Sequence, residues 1–421
     1  MALAAPATAA PYLVFDAGTG EVLAENDAFH PWYPASLTKM MTAYVTFRSV
    51  REGRIRLDSP VVMTANAAKE PPSKMGFKPG TALTVDTALK MLIVKSANDV
   101  AVALAEAVGG TEQGFVARMN AEARRLGMAS TLFTNPNGLP DERQFTTARD
   151  YALLTTAIIR EFPEHHDLFR ITALSLGSKL IKSHNHLLER YPGTDGMKTG
   201  FICSSGFNVV ATATRENRRL VAIVFGARNA KVRAETTARL LETAFQSPGG
   251  GLFAKRTKIT ALRPSEPPPA APTDLRPYVC GKKAPVGEDA DDQAVARAGV
   301  AGEVKSYLVA PFKLMDPVPV TLATIADPAG AAADLKDAIG DLPPLPKARP
   351  GRAVASGAPS GGAAAFAPEP DAGSGDTGAE MPTAGGVDLV SPPPEAGARV
   401  PALPGAVPPP IEILGLKGRG G

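Results

Sequence analysis

Three strand-like apolar runs follow one another near the middle of the chain, at residues 197–202, 207–212 and 220–225. The polar gaps between them are short, whereas a parallel crossover needs about a dozen residues or more. The three runs therefore predict an antiparallel meander, which restricts the fold before any helix is placed.

The segments on either side of the meander complete the predicted sheet. Residues 12–15 and 21–24 flank a glycine-containing loop, which is typical of a β-hairpin. Apolar residues at helical spacing predict helices over 36–50, 84–94, 99–108 and 231–245, with further helices after Thr111 and Thr147. We therefore predict an α/β fold of the α+β kind. A five-stranded antiparallel sheet is made from both chain ends, a helical block is inserted between them, and the last helix covers one face.

Proline content divides the chain into parts of different character. Residues 1–247 hold 12 of the 40 prolines, whereas Pro, Gly and Ala fill 46 of the 81 positions of residues 341–421. Such a tail cannot bury enough apolar surface to offset the entropy lost on ordering. We expect one folded domain at 11–247, a partly ordered extension at 248–340 and a disordered tail at 341–421.

Several classes of function are disfavoured by composition. The net charge is +3 and no run of Lys and Arg predicts nucleic-acid binding. The two cysteines form no CxxC, and the alternating pair His184 and His186 has no acidic or Cys neighbours at ligand spacing, so we expect neither a metal nor a cofactor. No apolar stretch approaches the roughly 20 residues of a membrane span, and residues 411–416 are too short for an amphipathic anchor.

The first ten residues contain Ala7-Thr8-Ala9, which has the A-x-A form of a signal-peptidase site. We interpret residues 1–10 as the end of an export signal, with an unstructured alanine-rich terminus as the alternative. Export would place the protein in the periplasm or at the outer face of the cytoplasmic membrane.

Three short motifs carry the predicted chemistry. They are Ser36-Leu-Thr-Lys39, Ser96-Ala-Asn98 and Lys198-Thr-Gly200. Each alone is weak, and the S-x-N pattern occurs again at Ser183-His-Asn185. The order is informative, because the first motif opens a helix after a proline turn, the second interrupts helices and the third lies in a strand. Ser183 is a poorer candidate because only 15 residues separate it from Lys198.

Ser36 is the predicted nucleophile and Lys39 its base. Residues i and i+3 share a helix face, so the lysine can reach the serine hydroxyl. A lysine removes a proton only when it is neutral, and burial near a second cation, Lys198, would lower its pKa. The backbone N–H of Ser36 is a candidate oxyanion donor.

The other two motifs are predicted to bind substrate. Ser96 could pass a proton to the leaving amine, and Asn98 could hold a substrate amide. An extended peptide could pair with the strand that begins at Lys198. In that strand, Lys198 and Thr199 would bind the terminal carboxylate, Gly200 would allow a close backbone approach, and the Phe201 N–H would be the second oxyanion donor.

The three motifs together are those of the penicillin-recognising serine enzymes. The segments 33–42, 134–138, 191–200 and 206–211 resemble the low-molecular-weight D-alanyl-D-alanine carboxypeptidases, over about residues 11–246. The resemblance implies the β-lactamase-like fold and attack by Ser36 on the penultimate D-Ala carbonyl. It also implies hydrolysis of the acyl-enzyme by water, a stem peptide ending in D-Ala-D-Ala as substrate, and β-lactams as covalent inhibitors.

Three other functions share parts of this pattern. A class A β-lactamase needs an E-x-x-L-N segment, and the dipeptide Leu-Asn does not occur in this sequence. A D,D-endopeptidase that cuts cross-links would have the same catalytic residues. A non-catalytic peptidoglycan-binding protein would normally have lost Ser36 or Lys39.

Cys203 and Cys280 are the only cysteines of the chain, so they have one possible intramolecular pairing. An exported protein enters a compartment in which disulfides persist. A bond between them would close a loop worth about 4 kcal/mol in the chain-entropy model and would tie the later segment to the catalytic strand. We favour this disulfide over a buried free thiol at Cys203.

Overall fold

The computed structural model describes residues 10–247, 256–280 and 306–322. The main sheet has five strands in the order β2-β1-β9-β8-β7, and every pair in it is antiparallel. Its strands are β1 (Tyr12–Asp16), β2 (Val22–Asn26), β7 (Thr194–Ile202), β8 (Gly206–Arg215) and β9 (Arg218–Ala227). The predicted hairpin, meander and five-stranded sheet are confirmed.

Helices fill the chain between the two parts of this sheet. They are α1 (Thr38–Arg51), α2 (Ala65–Ala68), α3 (Val85–Val94), α4 (Asn98–Gly109), α5 (Glu112–Leu126), α6 (Ala148–Glu161) and α7 (Leu187–Arg190), followed after the sheet by α8 (Ala230–Gln246) and α9 (Arg276–Val279). Four helices have an N-cap side chain that accepts a hydrogen bond from a backbone N–H in the first turn. The N-caps of α3, α5, α6 and α8 are Thr84, Thr111, Thr147 and Asn229. These helices therefore begin close to the predicted positions.

Two smaller sheets were not predicted. Strands β3 (Pro60–Val62) and β4 (Ala82–Thr84) form an antiparallel pair, and β5 (Ala173–Leu176) and β6 (Lys179–Lys182) form a hairpin. Strand β10 (Val318–Pro319) joins β5 in parallel. All five are short, which leaves too few residues to show a clear two-residue period.

The main sheet separates two apolar layers because its side chains alternate between faces. In β1, Phe15 faces the larger core with the helical block, whereas Val14 faces α8. Helix α8 covers that second face with Ala234, Ala238 and Leu241, which recur at helical spacing. The turn Ala35–Leu37, which carries Ser36, contacts β7 where the helical block meets the edge of the sheet.

The described parts of the C-terminal extension pack against this domain. Lys258 forms an isolated antiparallel bridge with Glu21, and Ile259 is buried in the larger core. The N–H of Val309 donates to the carbonyl of Arg190 over 2.8 Å. The predicted domain boundaries stay predictions, and those for residues 1–9 and 341–421 fall outside the described residues.

Among residues 10–247, 256–280 and 306–322, no helix is long and apolar enough to cross a bilayer. Within the same ranges, no group of three or more His, Cys, Asp or Glu side chains is arranged to hold a metal ion.

Candidate active site

Ser36 lies in a short 3-10 turn, Ala35–Leu37, which leads directly into α1. The side chain of Asn208 on β8 donates to the carbonyl of Tyr33 over 3.0 Å, which ties this turn to the sheet. Gly200 on β7 approaches so closely that a Cβ atom there would lie 3.0 Å from the Ser36 nitrogen. The glycine of the third motif therefore allows β7 to pack against the turn that carries Ser36.

Lys39 is fully buried, yet its amine is surrounded by polar atoms. The Nζ atom donates to Ser36 Oγ over 3.1 Å, to Asn98 Oδ1 over 2.8 Å and to the Asn137 carbonyl over 2.5 Å. Burial of a lysine is tolerated when hydrogen bonds satisfy the amine. The first motif and the asparagine of the second thus meet at one nitrogen atom.

Ser96 lies between α3 and α4 in the left-handed region, with φ of 60°. Its Oγ accepts a 3.0 Å hydrogen bond from Lys198 Nζ, which also donates to the Thr199 carbonyl over 2.9 Å. The second and third motifs therefore meet through this bond. Hydrogen bonds thus join Ser36, Lys39 and Asn98 in one group and Ser96 with Lys198 in another, and residues 96–98 connect the two.

Strand β7 is an edge strand, and the structure fixes which of its groups face outward. The Ile202 N–H donates to Ser205 Oγ and its carbonyl accepts from the Ser205 N–H, so both groups point toward β8. Successive backbone groups of a strand point to opposite sides, so those of Phe201 point to the open edge. Lys198 lies inside this strand, which begins at Thr194 rather than at the lysine as expected.

A cleft of about 540 Å³ opens beside these hydrogen-bonded side chains. Ser36, Asn98, Phe201 and Gly138 line it, together with residues of the 202–204 turn. Ser36 is partly exposed whereas Lys39 is fully buried, so a molecule in the cleft reaches the hydroxyl but not the amine.

The competing Ser183-His-Asn185 motif has a different position. The Asn185 side chain is buried and donates a hydrogen bond of 3.2 Å to the carbonyl of Gly196, a residue of β7. His184 lines the cleft, but the contacts with Lys39 and Lys198 come from Asn98 and Ser96. The geometry therefore favours Ser96 and Asn98 for the second motif.

Several residues at the site were missed by the sequence analysis. The Asn137 carbonyl accepts from Lys39, and the Asn137 side chain donates to Glu70 Oε2 over 2.8 Å. Burial and the nearby Glu112 raise the pKa of Glu70, although the Asn137 hydrogen bond and the Lys39 charge act in the opposite direction. Arg276 lines the cleft from the C-terminal extension. Asn137 contacts Lys39 through its backbone carbonyl, which any residue type could provide. Glu70 and Arg276 reach the site from distant parts of the chain, so no local sequence pattern identifies these three residues.

A disulfide links Cys203 to Cys280, with Cα atoms 5.5 Å apart. This separation lies within the limit of about 7 Å that such a bond requires. Cys203 lies just after β7 and Cys280 just after α9, so the bond fixes the extension beside the cleft.

Residues 2–229 match the family model described as D-alanyl-D-alanine carboxypeptidase. The chain is 36% identical over 242 residues to D-alanyl-D-alanine carboxypeptidase DacC of Escherichia coli, covering 56% of this chain and 60% of that protein. It is 32% identical over 238 residues to D-alanyl-D-alanine carboxypeptidase DacF of Bacillus subtilis, covering 55% of this chain and 61% of that protein. The chain thus spans about three fifths of the length of these curated relatives.

Solved structures give the same result. Penicillin binding protein 6B from Escherichia coli has a TM-score of 0.54 and 35% identity, covering 58% of this chain and 79% of that one. Penicillin binding protein 5 from Haemophilus influenzae has a TM-score of 0.54 and 34% identity, covering 58% of this chain and 72% of that one. The predicted β-lactamase-like DD-peptidase fold is confirmed. Because the family model matches more than half of the sequence, this chain belongs to the D-alanyl-D-alanine carboxypeptidase family, the low-molecular-weight penicillin-binding proteins.

Proposed function

We propose that this chain is a serine D-alanyl-D-alanine carboxypeptidase that removes the terminal D-Ala from peptidoglycan stem peptides through an acyl-enzyme. One observation carries the proposal. The fully buried amine of Lys39 lies 3.1 Å from the hydroxyl oxygen of Ser36, which itself opens into the cleft. A serine with an adjacent base is the arrangement that nucleophilic acyl transfer requires.

In acylation, neutral Lys39 takes the Ser36 proton while Oγ attacks the carbonyl of the penultimate D-Ala. The N–H groups of Ser36 and Phe201 stabilise the developing oxyanion. The bond to the terminal D-Ala then breaks, and its amine receives through Ser96 the proton that Lys39 took from Ser36, so Lys39 is neutral again. Ser96 is held by a hydrogen bond from Lys198. In the second step Lys39 takes a proton from the attacking water, the bond between Ser36 Oγ and the acyl carbon breaks, and Lys39 returns the proton to Ser36 as the shortened peptide leaves.

Substrate binding uses the open edge of β7. The outward N–H and carbonyl of Phe201 can pair with an extended peptide, while Asn98 binds an amide of the same peptide. The Thr199 hydroxyl and the positive charge of Lys198 bind the terminal carboxylate. A β-lactam presents a carbonyl and a carboxylate in a similar arrangement, so it acylates Ser36 and blocks the site.

Two observations support an extracytoplasmic site of action. The Cys203–Cys280 disulfide would persist in an oxidising compartment, and an A-x-A segment stands near the start of the sequence. We therefore place the protein in the periplasm or at the outer face of the cytoplasmic membrane.

The decisive experiment compares two substrates. The purified protein is incubated with a pentapeptide ending in D-Ala-D-Ala and, separately, with a cross-linked peptide dimer, and the products are identified by mass. If D-Ala is released from the pentapeptide faster than the dimer is cleaved, the carboxypeptidase function is supported. Preferential cleavage of the dimer would identify a D,D-endopeptidase. Binding without turnover of either substrate would identify a non-catalytic peptidoglycan-binding protein.

A further inference from the structure

Arg276 enters the catalytic cleft from outside the region that the family model matches. That match ends at residue 229, whereas Arg276 is the first residue of α9. It lines the cleft next to Phe201, Ile202 and Ser204. A positively charged side chain from the C-terminal extension is therefore part of the substrate-facing wall.

Three kinds of contact hold the Arg276 backbone in this position. The Cys203–Cys280 disulfide closes one end of α9, and the N–H of Leu275 donates to the carbonyl of Ser204 over 2.9 Å. Val279 is buried in a small apolar cluster with Phe207 of β8, and Leu275 packs against the same cluster. The short helix is thus attached to the end of the catalytic strand by covalent, polar and apolar contacts.

The direction of the bound peptide places Arg276 on one side of the scissile bond. In the proposed complex, the terminal carboxylate lies near Thr199 and the attacked carbonyl near the N–H of Phe201. An extended chain advances about 3.3 Å per residue, so the residue before D-Ala-D-Ala passes Ile202 and Cys203. Arg276 lies beside this part of β7, on the acyl side of the substrate.

The charge of Arg276 determines what it would bind there. Among the described residues that line the cleft there is no Asp or Glu. Asp274 lies just outside, and its carboxylate is 3.3 Å from the Nε atom of Arg276. That contact orients the planar guanidinium, whose terminal nitrogens are suited to a bidentate bond with a carboxylate.

We propose that Arg276 is a specificity-determining residue, which binds a carboxylate on the side chain that precedes D-Ala-D-Ala in the substrate. The inference rests on the proposed function, since it needs a peptide bound along β7. It assigns the C-terminal extension a role in substrate selection: peptides with an acidic residue at this position react faster than neutral or basic ones.

The test uses three synthetic peptides, acetyl-X-D-Ala-D-Ala, in which X is glutamate, glutamine or lysine. We measure kcat/KM for D-Ala release by the wild type, by Arg276→Gln and by the control Arg263→Gln. Arg263 is an exposed arginine in the same segment, and it donates to the carbonyls of Thr260 and Leu262.

For the wild type and Arg263→Gln, we expect kcat/KM for the glutamate peptide to be about fivefold higher than for the glutamine peptide. The lysine peptide should have the lowest kcat/KM. In Arg276→Gln the ratio of kcat/KM for the glutamate peptide to that for the glutamine peptide should fall to about one, because the positive charge that attracts the glutamate is gone. The wild-type ratio should also shrink at high salt. A wild-type ratio near one, or a ratio that survives in Arg276→Gln, overturns the inference.

Penicillin labelling separates specificity from folding and from the proposed function. The carboxylate of penicillin lies on its leaving-group side, so labelling of Arg276→Gln reports whether the cleft and Ser36 remain assembled. Loss of labelling in this variant would show a structural role and overturn the inference. If the wild type releases D-Ala from none of the three peptides, the proposed function itself fails, which is a distinct result.

Discussion

The Nζ atom of Lys39 lies 3.1 Å from the Oγ atom of Ser36, and the same nitrogen donates to Asn98 and to the carbonyl of Asn137. Residues 36 and 39 are neighbours on one helical turn, but Asn98 is the first residue of α4 and Asn137 lies in a separate loop. The position of the base therefore depends on three segments of the chain. Changes in any of them should affect acylation.

Replacing the nucleophile should abolish chemistry without unfolding the protein. We expect Ser36→Ala to show neither D-Ala release nor covalent labelling by penicillin, because Ser36 lines the cleft and its Oγ atom lies 3.1 Å from Lys39 Nζ. Ser73→Ala is the matched control, since Ser73 also lines the cleft but donates to the Lys95 carbonyl. Labelling of the Ser36 variant would show that the nucleophile is another residue.

Removing the base should slow acylation more than it affects folding. We expect Lys39→Met, which retains most of the side-chain volume, to reduce the rate of penicillin acylation by about 100-fold or more. The buried acceptors of Asn98 and Asn137 lose their donor, so the free energy of unfolding should fall by about 1–3 kcal/mol. Stopped-flow acylation and urea unfolding measure the two effects. A variant that is strongly destabilised but whose folded fraction is acylated at the wild-type rate would assign Lys39 a structural role.

Glu70 should influence the pH dependence of acylation through Asn137. Burial raises the pKa of Glu70, and above that pKa its negative charge favours the protonated form of the nearby lysine amine. Glu70→Gln removes this charge and keeps the side-chain shape. We therefore expect the acidic limb of the pH profile of acylation to move to lower pH.

The control for this prediction is Asp167→Asn, which removes a carboxylate that pairs with Arg170 and is 89% exposed. Its pH profile should match that of the wild type. A shift of the Glu70→Gln limb to higher pH, or no shift at all, would contradict the proposed coupling.

The disulfide should contribute to stability in the absence of reductant. We expect Cys280→Ser to lower the free energy of unfolding by about 2–4 kcal/mol, because the bond spans 77 positions and restricts the unfolded chain. Reductant should destabilise the wild type by a similar amount and leave the variant unchanged. Two titratable thiols in the unreduced, denatured wild type would disprove the bond.

Gly138 should be essential for the shape of the nucleophile turn. It has φ of +86°, and a Cβ atom there would lie 1.9 Å from the carbonyl oxygen of Ala35. Gly138→Ala should therefore lose both stability and penicillin acylation. Gly80 has the same φ but no atom within 4 Å of a Cβ, so Gly80→Ala measures the backbone cost alone, about 1 kcal/mol. Equal effects of the two substitutions on acylation would contradict the importance of the Ala35 contact.

Much of the fold was predictable because it depends on local spacing. The gaps between β7, β8 and β9 are too short for parallel crossovers, which fixed their antiparallel pairing. The Ser36–Lys39 contact was predictable for a similar reason, since helical geometry brings residues three positions apart together. Strands β5 and β6 were missed because segments of four residues carry little periodic information.

The sequence alone determined the residue types, their order and the local geometry of each motif. Only the tertiary structure decided which distant groups meet: Ser96 with Lys198, the Asn137 carbonyl with Lys39, and Arg276 with the cleft. Local structure follows from backbone sterics and side-chain spacing, which act over a few residues. Contacts between distant segments depend on how whole helices and strands pack to bury apolar surface. The residues that meet in this way carry no shared sequence pattern, so the sequence does not reveal the contact.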